Sequence, residues 1–314
     1  MTTPQPAPRW SASTDLDVRA ATGGAARLLT DADTPQVAEL ADADPVANVF
    51  VASLLQAGRR TGPRGRTAAT CFLGVADPDD GPAAALRAVA WVGSNVVPLA
   101  IPGAARHALT LGRAAAALRR RFGSLYGPAD QVLGIEAMLA SHGHRPRSVR
   151  PDQPLMVARG PGTVLPSPTL RQAQPADLDT VLPASAAMFE EELGFSPLRQ
   201  GAASYRDRVH RLIQAGRVLI ESGEDDGQAP GRMPLFKADL GVLSTDCVQV
   251  QGVWVRPDRR GEGLAAPAMA AVVQYAARTA DHVSLYVNAY NEPAVRTYAR
   301  VGFEQVGTFA TVLY

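Results

Sequence analysis

The chain has 314 residues, 46% of them hydrophobic and 19% charged, with a formal net charge of +1. This length predicts two domains of about 150 residues each. The near-zero charge excludes a global electrostatic case for binding nucleic acid or an anionic membrane.

The N-terminus "MTTPQPAPRW" lacks the apolar run of a secretory leader, and no run approaches the roughly 18 apolar residues of a membrane helix. Cys71 and Cys247 are isolated, with no metal-ligand spacing, and read as reduced buried thiols. The expectation is a soluble cytoplasmic protein with a disordered N-terminal tail. Lys237 is the sole lysine, so the basic charge is almost all arginine, a composition bias rather than a function.

In the first half, Asp44 and Pro45 open a helix carrying Val46, Val49, Phe50 and Leu54 that stops at Gly58. "CFLGVA" and "LRAVAWVG" flank "DPDDG" as a hairpin. A helix follows over roughly Ala104 to Phe122, then a short strand "SLYG", a helix "DQVLGIEAMLASHG" and a strand "PLMVARG". Arg119, Arg120 and Arg121 read as a solvated helix end. His142 and His144 lack companion ligands, so no metal is expected.

"RGPGTVLPSPT", residues 159–169, has linker composition. The expected domains are therefore 1–158 and 170–314.

After it come a short strand "TLRQA", then a helix capped by Asp177 with Leu178, Val181, Leu182 and Phe189, kinked at Pro183. A second helix carries Tyr205, Val209, Leu212 and Ile213 on one face. Strands "RVLIE", "LFKADLGVL" and "CVQVQGVWV" follow, then a helix to about Thr279, a strand "HVSLYVN", a helix "EPAVRTYARVG" and a strand "TFATVLY". The order β-α-α-β-β-β-α-β-α-β describes an α/β (α+β) fold, a mixed sheet with helices on both faces. The two halves share element order, which suggests a diverged duplication.

One junction carries chemistry. Between the third of these strands and its helix stands Arg260-Gly261-Glu262-Gly263-Leu264-Ala265. Glycines here let successive backbone N–H groups face one concavity, and the helix N-terminus adds its dipole, which together suit a pyrophosphate. A lone GxG is as well a surface turn. A dinucleotide fingerprint fits poorly, because its third glycine would fall at Ala266, followed by Pro267; a P-loop fails for want of GK[ST]. Downstream, Asn288 ends a strand, Asn291 sits in the next loop, and Ala294 and Tyr298 share a helical face ahead of Gly302 and Phe303.

With both segments read in order, residues 168 to 314 resemble the GCN5-related N-acetyltransferases (GNAT superfamily). Arg260-x-x-Gly263-x-Ala265 matches that family's acyl-CoA pyrophosphate motif, and Asn291, Ala294, Tyr298, Gly302 and Phe303 match its next one. The whole chain further resembles the two-domain actinobacterial members, whose N-terminal domain has no assigned role. The resemblance implies a mostly antiparallel GNAT-like sheet in tandem with a degenerate GNAT-like N-terminal domain.

It also implies acetyl-CoA as cosubstrate and direct attack by an amine through a tetrahedral intermediate. The backbone of Val253, Trp254 and Val255 would hold the pantetheine arm and acetyl carbonyl. The amides of Arg260, Gly261, Glu262, Gly263, Leu264 and Ala265 would hold the pyrophosphate, with Asn288 and Asn291 as further contacts. Tyr298 would be the general acid, its other reading being a core aromatic.

The family's strand glutamate is missing, since Gln249 and Gln251 hold the alternating positions. Base catalysis would then come from elsewhere in the chain, through water, or from an amine that arrives deprotonated; Glu190, Glu191 and Glu192, at least two of which read as a solvated acidic helix end, are candidates, with Glu191 chosen as candidate base and Asp239 and Asp246 behind it. In the first half the matching junction "VVPLAIPGAARHAL" has only Gly103, so no CoA site is expected there; its use would be to shape the acceptor cleft or a homodimer contact. The acceptor is a small-molecule or protein amine. Two alternatives stand: a silent acyl-CoA sensor or regulatory module, and an acyltransferase using a bulkier donor.

Overall fold

The computed structural model describes residues 12–63, 70–77, 85–160, 162–199, 201–223 and 233–314. The expected disordered tail and the middle of the "DPDDG" turn lie outside the described residues. The chain forms two compact units. Unit 1 comprises Met1–Leu155, Tyr286–Ala289 and Val306–Tyr314; unit 2 comprises Met156–Leu285 and Tyr290–Gln305.

Unit 1 begins with α1 (Ala12–Thr22), β1 (Ala26–Leu28), α2 (Thr34–Asp42) and α3 (Val49–Gln56). Strands β2 (Cys71–Val75), β3 (Ala88–Val92), β4 (Asn95–Pro98) and β5 (Ser124–Pro128) follow, with α4 (Ala108–Ala117) before β5 and α5 (Ala129–Ser141) after it. β6 (Ser148–Ala158) starts here. Strands β1 to β4 pair antiparallel in turn, and β4 pairs β5 in parallel.

Alternation along these strands builds two cores. Cys71, Leu73, Ala88, Ala90 and Val92 pack with α1, α4 and α5, whereas Phe72, Val89 and Trp91 pack with α2 and α3. Strands covered on both faces read as continuous apolar runs because successive side chains point to opposite sides.

Unit 2 has β7 (Arg171–Gln172), α6 (Leu178–Leu193), α7 (Ala202–Gln214), β8 (Val218–Glu221), β9 (Phe236–Leu243) and β10 (Cys247–Val255). They are followed by α8 (Ala265–Ala276), β11 (His282–Tyr286), α9 (Glu292–Val301) and β12 (Phe303–Leu313). β7 to β10 are antiparallel neighbours, and β10 pairs β11 in parallel. Leu178, Val181, Val209 and Ile213 bury the inner faces of α6 and α7 against Val218 and Ile220 of β8. Pro183 is accommodated inside α6, which ends at Gly194 in the left-handed region, φ 76°. Both units are mixed α/β, with a largely antiparallel sheet flanked by helices.

The shared element order has a local counterpart. Arg27 forms a two-pronged pair with Asp33 (2.9 and 2.6 Å), whose Oδ2 accepts from the Thr30 N–H; Arg171 does the same with Asp177 (2.8 and 2.9 Å), whose Oδ2 accepts from the Gln174 N–H. In each unit one Arg-x5-Asp spacing ties a short strand, β1 or β7, to the turn that opens the next helix, α2 or α6. These pairs hold Asp33 and Asp177 below the ordinary carboxylate range.

Composition locates the division at residues 159–169, whereas the compact units divide the chain at Leu155/Met156 and return Val306–Tyr314 to unit 1. There β12 pairs antiparallel with β5, from Phe309↔Pro128 to Leu313↔Ser124. The partner of a strand depends on backbone register, which composition does not encode. Three further differences are local. α1, β1 and α2 precede the first helix expected from the sequence, although Asp33 and Pro35 mark the start of α2, α3 begins at Val49 rather than at Asp44, and α4 begins at Ala108 after a 3₁₀ turn at Ala104–His107. Among the described residues no helix is long and apolar enough to cross a membrane, and no cluster of three metal-ligating side chains occurs.

Candidate active site

In unit 2, β10 follows β11 only over Cys247↔His282 to Gln249↔Ser284, so its last six residues have no partner on that side. On its other side Gln251 faces Asp239 and Trp254 faces Lys237, leaving Gly252 and Val253 opposite Ala238 alone. This is a β-bulge, and it leaves backbone amides outside the ladder. Gly252 takes φ +56°, and a Cβ there would lie 2.8 Å from Asp239 Oδ2, so conformation and crowding both demand glycine.

Beside this open edge runs a groove of about 660 Å³, within the size of pockets that take small molecules and cofactors. Its floor is Val253, Trp254 and Val255. One end is the loop Arg259–Gly263 with the start of α8, and its wall is α9 with Asn291, Ala294 and Tyr298.

The loop has the open, glycine-dependent backbone expected from its sequence. Gly261 and Gly263 take φ +86° and +82°, and a Cβ at either would meet nothing within 4 Å. Positive φ selects glycine here, while the surrounding space stays open for a ligand. Pro267 sits in the first turn of α8, where a missing N–H costs no helical bond. The loop and helix start therefore fit a pyrophosphate.

Of the sequence candidates, Val253, Trp254, Val255, Arg260, Gly261, Gly263, Leu264, Ala265, Asn291, Tyr298 and Glu191 all line this one groove. Two do not. The Glu262 carboxylate accepts from Arg259 Nε at 2.8 Å. Asn288 belongs to unit 1, where its Oδ1 accepts from Gln153 Nε2 at 2.9 Å and Gln153 Oε1 accepts from Thr311 Oγ1 at 2.7 Å. The strand end that carries Asn288 pairs with Asp152 and Pro154 through the Ala289 and Val287 amides, a register invisible in the sequence. Asn291 caps α9, its Oδ1 accepting from the Ala294 N–H at 3.4 Å.

Tyr298 is 7% exposed and packs on Phe303 with ring centroids 5.9 Å apart. Burial, then the charge of Glu192, pushes its phenol above the usual range, so it keeps its proton.

Glu191 is not free. Both its oxygens accept from Arg260 Nη2, at 2.9 and 2.8 Å, and Oε1 also accepts from Trp254 Nε1 at 3.1 Å. The expected base and the expected pyrophosphate arginine are thus partners of each other. Glu190 and Glu192 are exposed, and Asp246 accepts from Thr245 Oγ1 at 2.6 Å in the β9–β10 turn. On β10, Gln251 Nε2 donates to Gln249 Oε1 at 2.9 Å.

One feature has no sequence signal. Lys237 is fully buried, its Nζ donating to Asp239 Oδ2 at 2.6 Å. In unit 1 the corresponding junction differs from the cradle, because Arg106 folds back over Gly103: a Cβ there would lie 2.7 Å from Arg106 Nη2, whose Nε donates to Gly103 O at 3.0 Å.

Residues 183–303 match the Acetyltransferase (GNAT) family, and residues 79–181 match a domain of unknown function, DUF4081. No curated protein matches the chain. Similar solved structures include an acetyltransferase of the GNAT family from Colwellia psychrerythraea, with 10% identity over 92% of this chain and 99% of that one, TM-score 0.54. A Drosophila protein shows 14% identity over 92% and 98%, TM-score 0.57. A GCN5-related N-acetyltransferase from Sphaerobacter thermophilus shows 20% identity over 91% and 94%, TM-score 0.52. At these identities the likeness shows the fold alone.

Proposed function

We propose, from the premise that the chain carries an acetyltransferase (GNAT) family domain over residues 183–303, that it moves an acetyl group from acetyl-CoA to an amine. The observation that carries this reading is the groove itself: an unpaired strand edge at Val253–Val255, a glycine cradle at one end and a buried phenol in the wall.

The backbone of Val253 to Val255 would hold the acyl arm as an added strand, and the amides from Gly261 to Ala265 would hold the pyrophosphate. The acyl carbon then stands beside the bulge. An amine lone pair forms the C–N bond, the carbonyl oxygen takes the charge, the nitrogen releases one proton, and collapse breaks the C–S bond. Tyr298 donates its phenolic proton to the departing sulfur and regains one from solvent. A phenol pushed up by burial is a sound proton store.

A second reading has its own support. Arg260 is occupied by Glu191, and β10 carries no carboxylate, as a silent acyl-CoA sensor would allow. Calorimetric titration with acetyl-CoA, together with release of CoA thiol across an amine panel, separates the two: binding with turnover supports the transferase, and binding without turnover the sensor. A bulkier donor would show itself by outcompeting acetyl-CoA.

A further inference from the structure

Beneath α6 lies a second, smaller cavity of about 40 Å³. Asp239 of β9, Ser185 and Met188 of α6, and Tyr205 and Arg208 of α7 line it. Two of its lining residues carry a buried oxygen with no hydrogen-bond partner among the described residues: Ser185 Oγ, on a residue 3% exposed, and Asp239 Oδ1. Buried polar atoms are ordinarily paired, so two orphans facing one chamber point to an absent donor. The other carboxylate oxygen is committed to Lys237.

The chamber adjoins the transfer groove. Met188 lines both cavities. A Cβ at Gly252, next to Val253 of the groove floor, would lie 2.8 Å from Asp239 Oδ2 and 3.1 Å from Met188 Cε. A carboxylate thus reaches the bulge from β9, the neighbouring strand, while β10 offers only glutamines.

Resting on the acetyl-transfer reading above, we infer that the acceptor nitrogen enters this chamber and that Asp239 Oδ1 receives the proton it releases on attack. The charged groups around Asp239 are Lys237 on its own strand, Arg208 on α7 and, across Tyr205, Glu192 on α6. Two cations balance two carboxylates, so the chamber offers acceptors for N–H groups without a net negative field to retain an ammonium. The acceptor enters as a neutral amine.

Its lone pair forms the C–N bond, one N–H proton passes to Asp239 Oδ1, and the C–S bond breaks as Tyr298 protonates sulfur. Asp239 returns its proton to water, and Tyr298 regains one from solvent. The sum is amine plus acetyl-CoA giving amide plus CoA thiol. About 40 Å³ admits a primary amino group and its first carbon, so the substrate class is an unhindered primary amine.

The test uses the full chain with acetyl-CoA and a series of primary amines, propylamine and methoxyamine among them, alongside N-methylpropylamine. Wild type acetylates primary amines and not the secondary one. Asp239→Asn lowers kcat about 10²- to 10⁴-fold, with acetyl-CoA affinity kept and the loss smaller for weakly basic methoxyamine. Ser185→Ala raises acceptor KM with kcat nearly unchanged. Because Asp239→Asn strands the Lys237 charge, the Lys237→Met/Asp239→Asn double variant, checked for folding by circular dichroism, repeats the measurement. A folded Asp239 variant with unchanged kcat and pH profile overturns the inference, as does a wild type that binds acetyl-CoA but acetylates no primary amine. Failure to bind acetyl-CoA at all removes the reading beneath it as well.

Discussion

Glu191→Gln isolates the contact between α6 and the glycine loop. In the structure Arg260 Nε donates to Val255 O at 3.0 Å and its Nη2 to both Glu191 oxygens, so an incoming pyrophosphate must take the arginine from the carboxylate. Side-chain exposures of 46% and 45% mean that solvent screens the pair, and such pairs are worth about 0.2–1 kcal/mol. Glutamine retains an oxygen for Trp254 Nε1 and removes only the charge. Relieving that competition predicts CoA binding tighter by about 1.4- to 5-fold, more at low ionic strength, where exposed charges interact over longer distances. Isothermal titration of CoA at two salt concentrations reads the effect directly. Unchanged or weaker binding would refute the competition. A kcat loss of about 100-fold or more would instead restore Glu191 as a general base.

Gly263→Asp adds a carboxylate to the anion cradle at φ +82°, in open space; CoA binding is expected to fall at least about 100-fold at like-charge cost, with an unaltered circular dichroism spectrum, and undiminished binding would remove the cradle. Tyr298→Phe keeps the buried ring against Phe303 and removes only the hydroxyl, so kcat should fall about 100-fold or more while CoA affinity stays within about 2-fold; unchanged turnover would return Tyr298 to a packing role. His107 and His144 of unit 1 titrate below the ordinary imidazole range, chiefly through burial and then through the charges of Arg106 and His142 respectively. The unfolded chain therefore binds more protons, stability is full above about pH 6.5, and it declines as pH falls through their lowered folded values. The urea midpoint should drop between pH 7.5 and 5.5, and a His107→Gln/His144→Gln variant should flatten that slope.

Much of unit 2 was legible because its signals are local. Strand alternation marked β10 to the residue, Asn291 and Pro293 marked the start of α9, and two glycines between strand and helix marked the positive-φ turn, since positive φ and an open helix start are decided within a few residues. The resemblance added the order of the motifs and the role expected of Tyr298. Unit 1 was less legible: α2 and β1 are short, and a strand buried on both faces reads as a plain apolar run.

What the sequence determined by itself was therefore the element order, the glycine loop and the side chains of α9 that share a face with Tyr298. Tertiary structure alone decided who meets whom across long separations. Glu191 reaches Arg260 over 69 positions, and Thr311 reaches Gln153 over 158. The sole lysine finds Asp239 only two residues away, yet its position is enclosed by strands β8 and β10, paired to it at Ile220 and Trp254. Strand partnership and charge pairing are settled by register and packing once the sheet forms, and Val306–Tyr314 consequently completes unit 1 rather than the half of the sequence in which it lies.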